Sequence, residues 1–112
     1  MTEDIGEAIN ICAGSYESNV NELDKAGLAT IPSKVVQPPR VAESPGSLEC
    51  KVEQVVDLGS HNLVIGRVVM FHIRDDLYTD GTINVHELRP IARLSKNYYT
   101  RCQEIFEMTR PS

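Results

Sequence analysis

Residues Leu48 to Ile73 limit the fold more than any other part of the chain. Leu48, Cys50 and Val52 alternate with Glu49, Lys51 and Glu53, which is the period of a half-buried strand. The phase shifts at Gln54, and Val55, Val56 and Leu58 carry the apolar character onward. A bulge absorbs a shift of that kind. Gly59-Ser60-His61-Asn62 is rich in turn formers. Leu63 to Ile73 is then a long β-prone run with Ile65, Arg67, Val69, Phe71 and Ile73 on one face. Val64, Gly66, Val68, Met70, His72 and Arg74 share the other. Both faces are apolar at the centre, so both are expected to meet protein. A lone hairpin is marginal in water and leaves two open edges. No other segment reads as an equally convincing strand. More sheet is therefore expected from a second subunit, a partner chain or a preceding N-terminal portion.

The rest of the chain reads as short elements. Ile5, Ala8, Ile9 and Cys12 recur at helical spacing after Asp4, which predicts a helix over Asp4–Cys12. Val20–Ala26 predicts a second, with Asn19 as N-cap, Glu22 three residues later and Gly27 closing it in a left-handed conformation. Such short helices need packing to persist. Pro32, Pro38, Pro39 and Pro45 make Ile31–Pro45 an extended connection, since proline lacks a donor and restricts its predecessor. Asp80-Gly81 predicts a tight turn. Asn84 predicts the cap of a brief helix through Leu88, with Glu87 in the capping-box position and Pro90 as the stop. Tyr99–Met108 fits helix or strand, with Ile105, Phe106 and Met108 as its expected anchors.

At 112 residues the prior is one domain. The 16 acidic and 11 basic residues leave a net charge of −5, against the clustered cations that phosphate-backbone binding needs. Six aromatic side chains offer little stacking surface. Nucleic acid is thus not an expected partner. No run of about 18 apolar residues predicts a membrane span. The acidic start, Met1-Thr2-Glu3-Asp4, lacks the features of a targeting peptide, and the expected location is cytoplasmic.

Cys12, Cys50 and Cys102 are widely spaced, with neither CxxC nor histidine pairing, so zinc is not expected. They read as structural thiols, Cys50 being placed in a strand. Redox chemistry at Cys12 or Cys102 is the alternative. The acids around Asp75-Asp76 and Asp80 lack the alternating ligands and closing Glu of a calcium loop. Dinucleotide-binding glycine motifs, phosphate loops and nucleophile elbows are absent as well, which disfavours an ordinary hydrolase or nucleotide-hydrolysing enzyme.

Several ordered segments together carry a resemblance. They are Leu23-Asp24-Lys25-Ala26-Gly27-Leu28, Pro32-Ser33-Lys34-Val35-Val36, Pro38 to Pro45, Leu48-Glu49-Cys50-Lys51, Asn62 to Val69, His72-Ile73-Arg74-Asp75, Leu88 to Leu94 and Glu107 to Pro111. In this order they resemble the middle and C-terminal portion of flavin reductase-like proteins, which fold as an FMN-binding split barrel. The resemblance implies a mainly β fold with short helices. It implies a partial split β-barrel completed by dimerisation or by a missing N-terminal half, with residues 1–112 as one partial domain of that type. Typical members are nearly twice as long.

The activity implied is hydride transfer from NADH or NADPH to FMN, with FAD as an alternative flavin. The partners implied are a second copy of the chain and an oxygenase that consumes reduced flavin. A noncatalytic scaffold or dimerisation module of the same fold is the second expectation. The flavin carries the redox chemistry in such a fold, so no protein catalytic residue is expected.

Cofactor contacts are carried over to Arg93, Lys96 and Tyr99. The Arg93 guanidinium pairs with phosphate or the ring's polar edge in one reading, and joins a surface or interface ion pair in the other. Lys96 is a mobile charge for phosphate or a solvated lysine. Tyr99 stacks near the flavin or packs in the core or an interface. Many relatives carry a Gly-Gly pair where Ser95-Lys96 stands here, which adds side chains where backbone approaches a ligand. His72, among apolar neighbours, is either a proton donor near reduced flavin or a satisfied structural histidine.

Overall fold

The structure, a computed structural model, describes Met1–Ser112. A single 3-10 turn at Glu3–Ile5 leads into α1 (Gly6–Cys12), and α2 (Glu22–Ala26) follows. The second helix starts later than the sequence predicts. Asn21, not Asn19, caps it by accepting the Leu23 N–H at 3.0 Å. Gly27 closes it at φ 72, as expected.

Two residue pairs, β1 (Thr30–Ile31) and β2 (Arg40–Val41), clip the two ends of the proline-rich connection together. Between them the backbone has no regular ladder, because the prolines supply no donors. The centre of the molecule is the antiparallel ribbon of β3 (Gly46–Asp57) and β4 (Asn62–Ile73). After it come β5 (Tyr78–Thr79) and β6 (Thr82–Ile83), joined by Asp80-Gly81 with both residues at positive φ, the turn that matches strand twist. Then follow α3 (Val85–Leu88), capped by Asn84, and the pair β7 (Ile91–Arg93) and β8 (Tyr99–Arg101).

The ribbon register explains the phase change in the sequence. Shifts fall between Glu49 and Cys50 and between Val52 and Gln54. Val52 and Val55 are three residues apart and would otherwise point to opposite faces. The extra residue, Glu53, restores the phase. Leu48 opposite Phe71, Cys50 opposite Val68, Val52 opposite Gly66 and Val55 opposite Val64 then share one face. Arg67 takes the Glu53 carboxylate through two guanidinium nitrogens at 2.5 and 2.6 Å, holding the bulged residue. A Cβ at position 66 would sit 3.1 Å from the Cys50 Cβ, a tight contact.

That face is left open by the chain, Val52 being 69% exposed. The other face is covered at one end only, where residues 34–36 cross Glu49. The expectation that both faces meet protein is thus satisfied within the chain at one corner alone. Only Thr2, Glu49 and Leu77 are buried. Cys50 and Cys102 are exposed and Cys12 is half-buried, so the thiols do not serve as core residues. Phe106 and Met108 are 80% and 81% exposed and anchor nothing, because the chain after β8 forms no element for them to pack on.

Three magnitudes agree on this openness. A compact chain of 12.5 kDa exposes about 6,200 Å², whereas this one exposes 9211 Å². Its radius of gyration is 16.4 Å, against about 13 Å for a compact domain of the same length. It forms 44 backbone hydrogen bonds, where a closed domain of this size forms roughly 75. All four sheets are two-stranded, so each ribbon edge lacks a strand partner. Short two-stranded antiparallel sheets and short helices are present, while a closed barrel is not.

Candidate functional site

The three residues singled out in sequence lie on one small hairpin. Arg93 ends β7 and pairs directly with Tyr99, which opens β8. Cross-strand partners share a face, so these two side chains start from the same side of the ribbon. Lys96 lies in the connecting turn, closed by the Leu94 N–H on the Tyr98 carbonyl at 2.8 Å and the Tyr98 N–H on the Ser95 carbonyl at 3.2 Å. Lys96 adopts φ 58, in the left-handed region. A non-glycine residue is strained in that conformation.

The Tyr99 hydroxyl donates to Asn10 Oδ1 at 3.1 Å and ties the hairpin to α1. A cavity of about 640 Å³ lies between them, walled by Gly6, Asn10, Ile91, Asn97, Tyr99 and Arg101. Glu3 and Glu7 also face it. Arg101 is already paired with Glu3 at 2.8 Å, so the cavity itself offers no spare cation for a phosphate. Arg93 and Lys96 are exposed and make no ion pair.

A second constellation forms where the proline-rich connection crosses the ribbon. Glu49 Oε1 accepts the Val35 N–H at 2.6 Å and the Val36 N–H at 3.1 Å. Its Oε2 accepts the Lys34 N–H at 2.9 Å and meets His72 Nε2. The Glu49 side chain is 1% exposed and that of His72 16%. Burial pushes the carboxyl up, but the Lys34 N–H, His72 and the Val35 and Val36 N–H groups together outweigh it and hold the group at about 2. An ionised carboxylate only accepts, so the shared proton belongs to His72 Nε2. The histidine is satisfied by a charge rather than by apolar packing.

Sequence reasoning did not pair Glu49 with His72. They are 23 residues apart, and only the register puts them on one face. The alternation of Glu49 with apolar residues marked it as a solvent-facing strand residue. Nothing in the sequence showed that backbone donors would cover it. Elsewhere, Arg74 binds Asp76 at 2.6 Å, which lowers the Asp76 carboxyl and raises the arginine. Arg67 likewise lowers Glu53. No cluster of metal-ligating side chains forms, and no helix is long and apolar enough to cross a membrane.

Known proteins share this fold. A Halalkalibacterium halodurans protein is 40% identical over 112 residues, spanning 95% of this chain and 54% of its own. The crystal structure of nitrilotriacetate monooxygenase component B from Bacillus cereus superposes with a TM-score of 0.90 at 36% identity, covering 96% of this chain and 56% of that one. A protein with a split barrel domain from Shewanella frigidimarina shares the fold at 20% identity and a TM-score of 0.87, over 99% of this chain and 58% of that one. The chain thus spans little more than half the length of these relatives. The model of the flavin reductase like domain matches residues 1–91, most of the sequence, and the chain belongs to that family.

Proposed function

We propose that the chain forms part of a flavin-binding oxidoreductase that passes hydride from NADH or NADPH to FMN. The family match over residues 1–91 carries this reading. Arg93 and Lys96 would meet the cofactor's anionic groups, and Tyr99 would border its ring from a hydroxyl fixed on Asn10. The flavin, when bound, supplies the hydride acceptor. The protein's share is to orient the ring and keep water from it. A second copy of the chain, or further chain of the same fold, completes the site by covering the open ribbon face. Reduced flavin then serves a partner oxygenase, a role in keeping with the monooxygenase component among the similar structures.

The test is gel filtration of the chain with excess FMN, read by visible absorption and followed by anaerobic addition of NADH or NADPH. Co-eluting yellow colour that bleaches on addition, and that weakens in Arg93→Ala, is the expected result. Protein that elutes colourless at high FMN rejects an autonomous reductase.

The alternative is a noncatalytic scaffold or dimerisation module. The open ribbon and the absence of a closed barrel favour it. Assembly through the ribbon without any flavin retention would identify it.

A further inference from the structure

The C-terminal tail and one surface groove each lack a partner. Residues 103–112 belong to no element, are all exposed and take part in no backbone hydrogen bond. In an extended chain Phe106 and Met108 point to one side and Glu107 to the other. A peptide of this kind binds by placing alternate side chains in apolar pockets.

A groove of about 430 Å³ lies between the two helices and the start of β3, walled by Ile5, Ile9, Leu23, Leu28 and Leu48. That size is within the range of sites that enclose organic groups. The one charged side chain on its wall is Arg40, the first residue of β2. Arg40 makes no ion pair, and its Nε has no hydrogen-bond partner. Glu104 and Glu107 make no ion pair either. The segment that carries Phe106 and Met108 is thus anionic where the groove is cationic.

The chain does not fill the groove itself. Cys102 gives its N–H to the Pro90 carbonyl at 3.2 Å, and Pro90 bridges to Thr2, next to Met1 on the groove wall. The tail therefore leaves close to the groove, yet none of its residues lines it. Through Leu48, which stands opposite Phe71, the groove runs on into the open face of the ribbon. A second copy laid on that face lies beside the groove as well. The surface in excess of a compact chain, about 3,000 Å², is several times the ~800 Å² that each partner gives to a standard interface. Covering the groove and the face together takes another copy rather than a short strap.

We infer that the groove is a docking site for the tail of a second copy of this chain, with Phe106 and Met108 seated against Ile5, Ile9, Leu23 and Leu28 and the tail carboxylates beside Arg40. The exchange is reciprocal. Each copy gives a tail and takes one, so the contact closes as a two-fold dimer and does not propagate. The inference does not rest on the flavin reading, since Arg93, Lys96 and Tyr99 take no part.

The test is isotope-filtered NOE spectroscopy of the full chain, mixed from equal parts of ¹³C,¹⁵N-labelled and unlabelled protein. Contacts from the Phe106 ring and the Met108 methyl to the methyl groups of Ile5, Ile9 and Leu23 are expected between copies. The same contacts within one copy alone mean a strap closed on its own groove, and overturn the exchange. No contact at all overturns the site. Sedimentation equilibrium gives a second reading. Phe106→Ser combined with Met108→Ser should raise the dimer dissociation constant by about tenfold or more, with the circular dichroism of the chain unchanged. Arg40→Glu should weaken the dimer too, and adding Glu104→Arg and Glu107→Arg should restore part of it. A dissociation constant that the tail change leaves unmoved, or a chain that stays monomeric at millimolar concentration, overturns the inference.

Discussion

Glu49→Gln is the most informative single change. The carboxylate ties three consecutive backbone donors of the proline-rich connection to the central ribbon. Glutamine keeps the shape but has one acceptor oxygen. If its amide nitrogen takes the Oε1 position, it faces the Val35 and Val36 N–H groups. In the Oε2 position it faces the Lys34 N–H and His72 Nε2. Donor meets donor either way, and at least one buried N–H loses its acceptor. The pH dependence supplies the magnitude. The carboxyl is ordinarily at 4.5 and is held at about 2 in the fold. A depressed folded value means that the stabilisation is complete above the unfolded value and is lost as pH falls through the folded one. The window is therefore pH 4.5 down to about 2. Near its middle, at about pH 3.2, the unfolded chain binds ~0.9 proton more than the folded chain at this one group. Urea unfolding of both proteins, repeated at half-unit steps from pH 2 to 7, measures this. Glu49→Gln should be less stable at pH 7, and its stability should depend on pH by about one proton less within the window. Equal stability at pH 7 together with an unchanged pH slope would refute the reasoning. The Glu53 and Asp76 carboxyls, also lowered by their arginines, titrate in both proteins and cancel in the comparison.

Three further outcomes follow from the packing. Leu77→Ala removes the one buried apolar side chain and should cost about 2–5 kcal/mol in urea unfolding. Lys96→Gly relieves a left-handed residue and should raise stability by about 0.5–1 kcal/mol while leaving the β7–β8 register intact by NMR. Gly66→Val forces a Cβ to within 3.1 Å of Cys50 Cβ, and a loss of about 1–3 kcal/mol is expected from the overpacked ribbon.

Local chemistry made much of the fold legible. The long ribbon, the phase change near Gln54, the Gly27 cap, the Asp80-Gly81 turn and the Asn84 cap each follow from a residue or its neighbours. The family likeness was readable because its segments recur in order. What escaped the sequence depends on distant residues. The shift of the α2 cap to Asn21, the exposure of Cys50 and the loose end at Phe106 and Met108 were set by what does or does not pack there. The Glu49–His72 contact and the unmatched Arg40 arise only once the register and the crossing connection are fixed in space. Arg93 and Tyr99 were singled out by the family likeness of the segments around them, and their pairing across β7 and β8 follows from the turn between them.

The ribbon is expected to become stable only when something outside this chain covers its open face. About 3,000 Å² of excess surface, the scale of an obligate interface, is the measure of that need. Sedimentation equilibrium of the purified 112-residue chain, with thermal unfolding of each species, tests it most directly. Cooperative unfolding is expected only in species heavier than 12.5 kDa, and those species should be lost when Val52 and Val68 are both changed to Lys. A 12.5 kDa monomer that unfolds cooperatively, with both ribbon edges protected from hydrogen exchange, would contradict it.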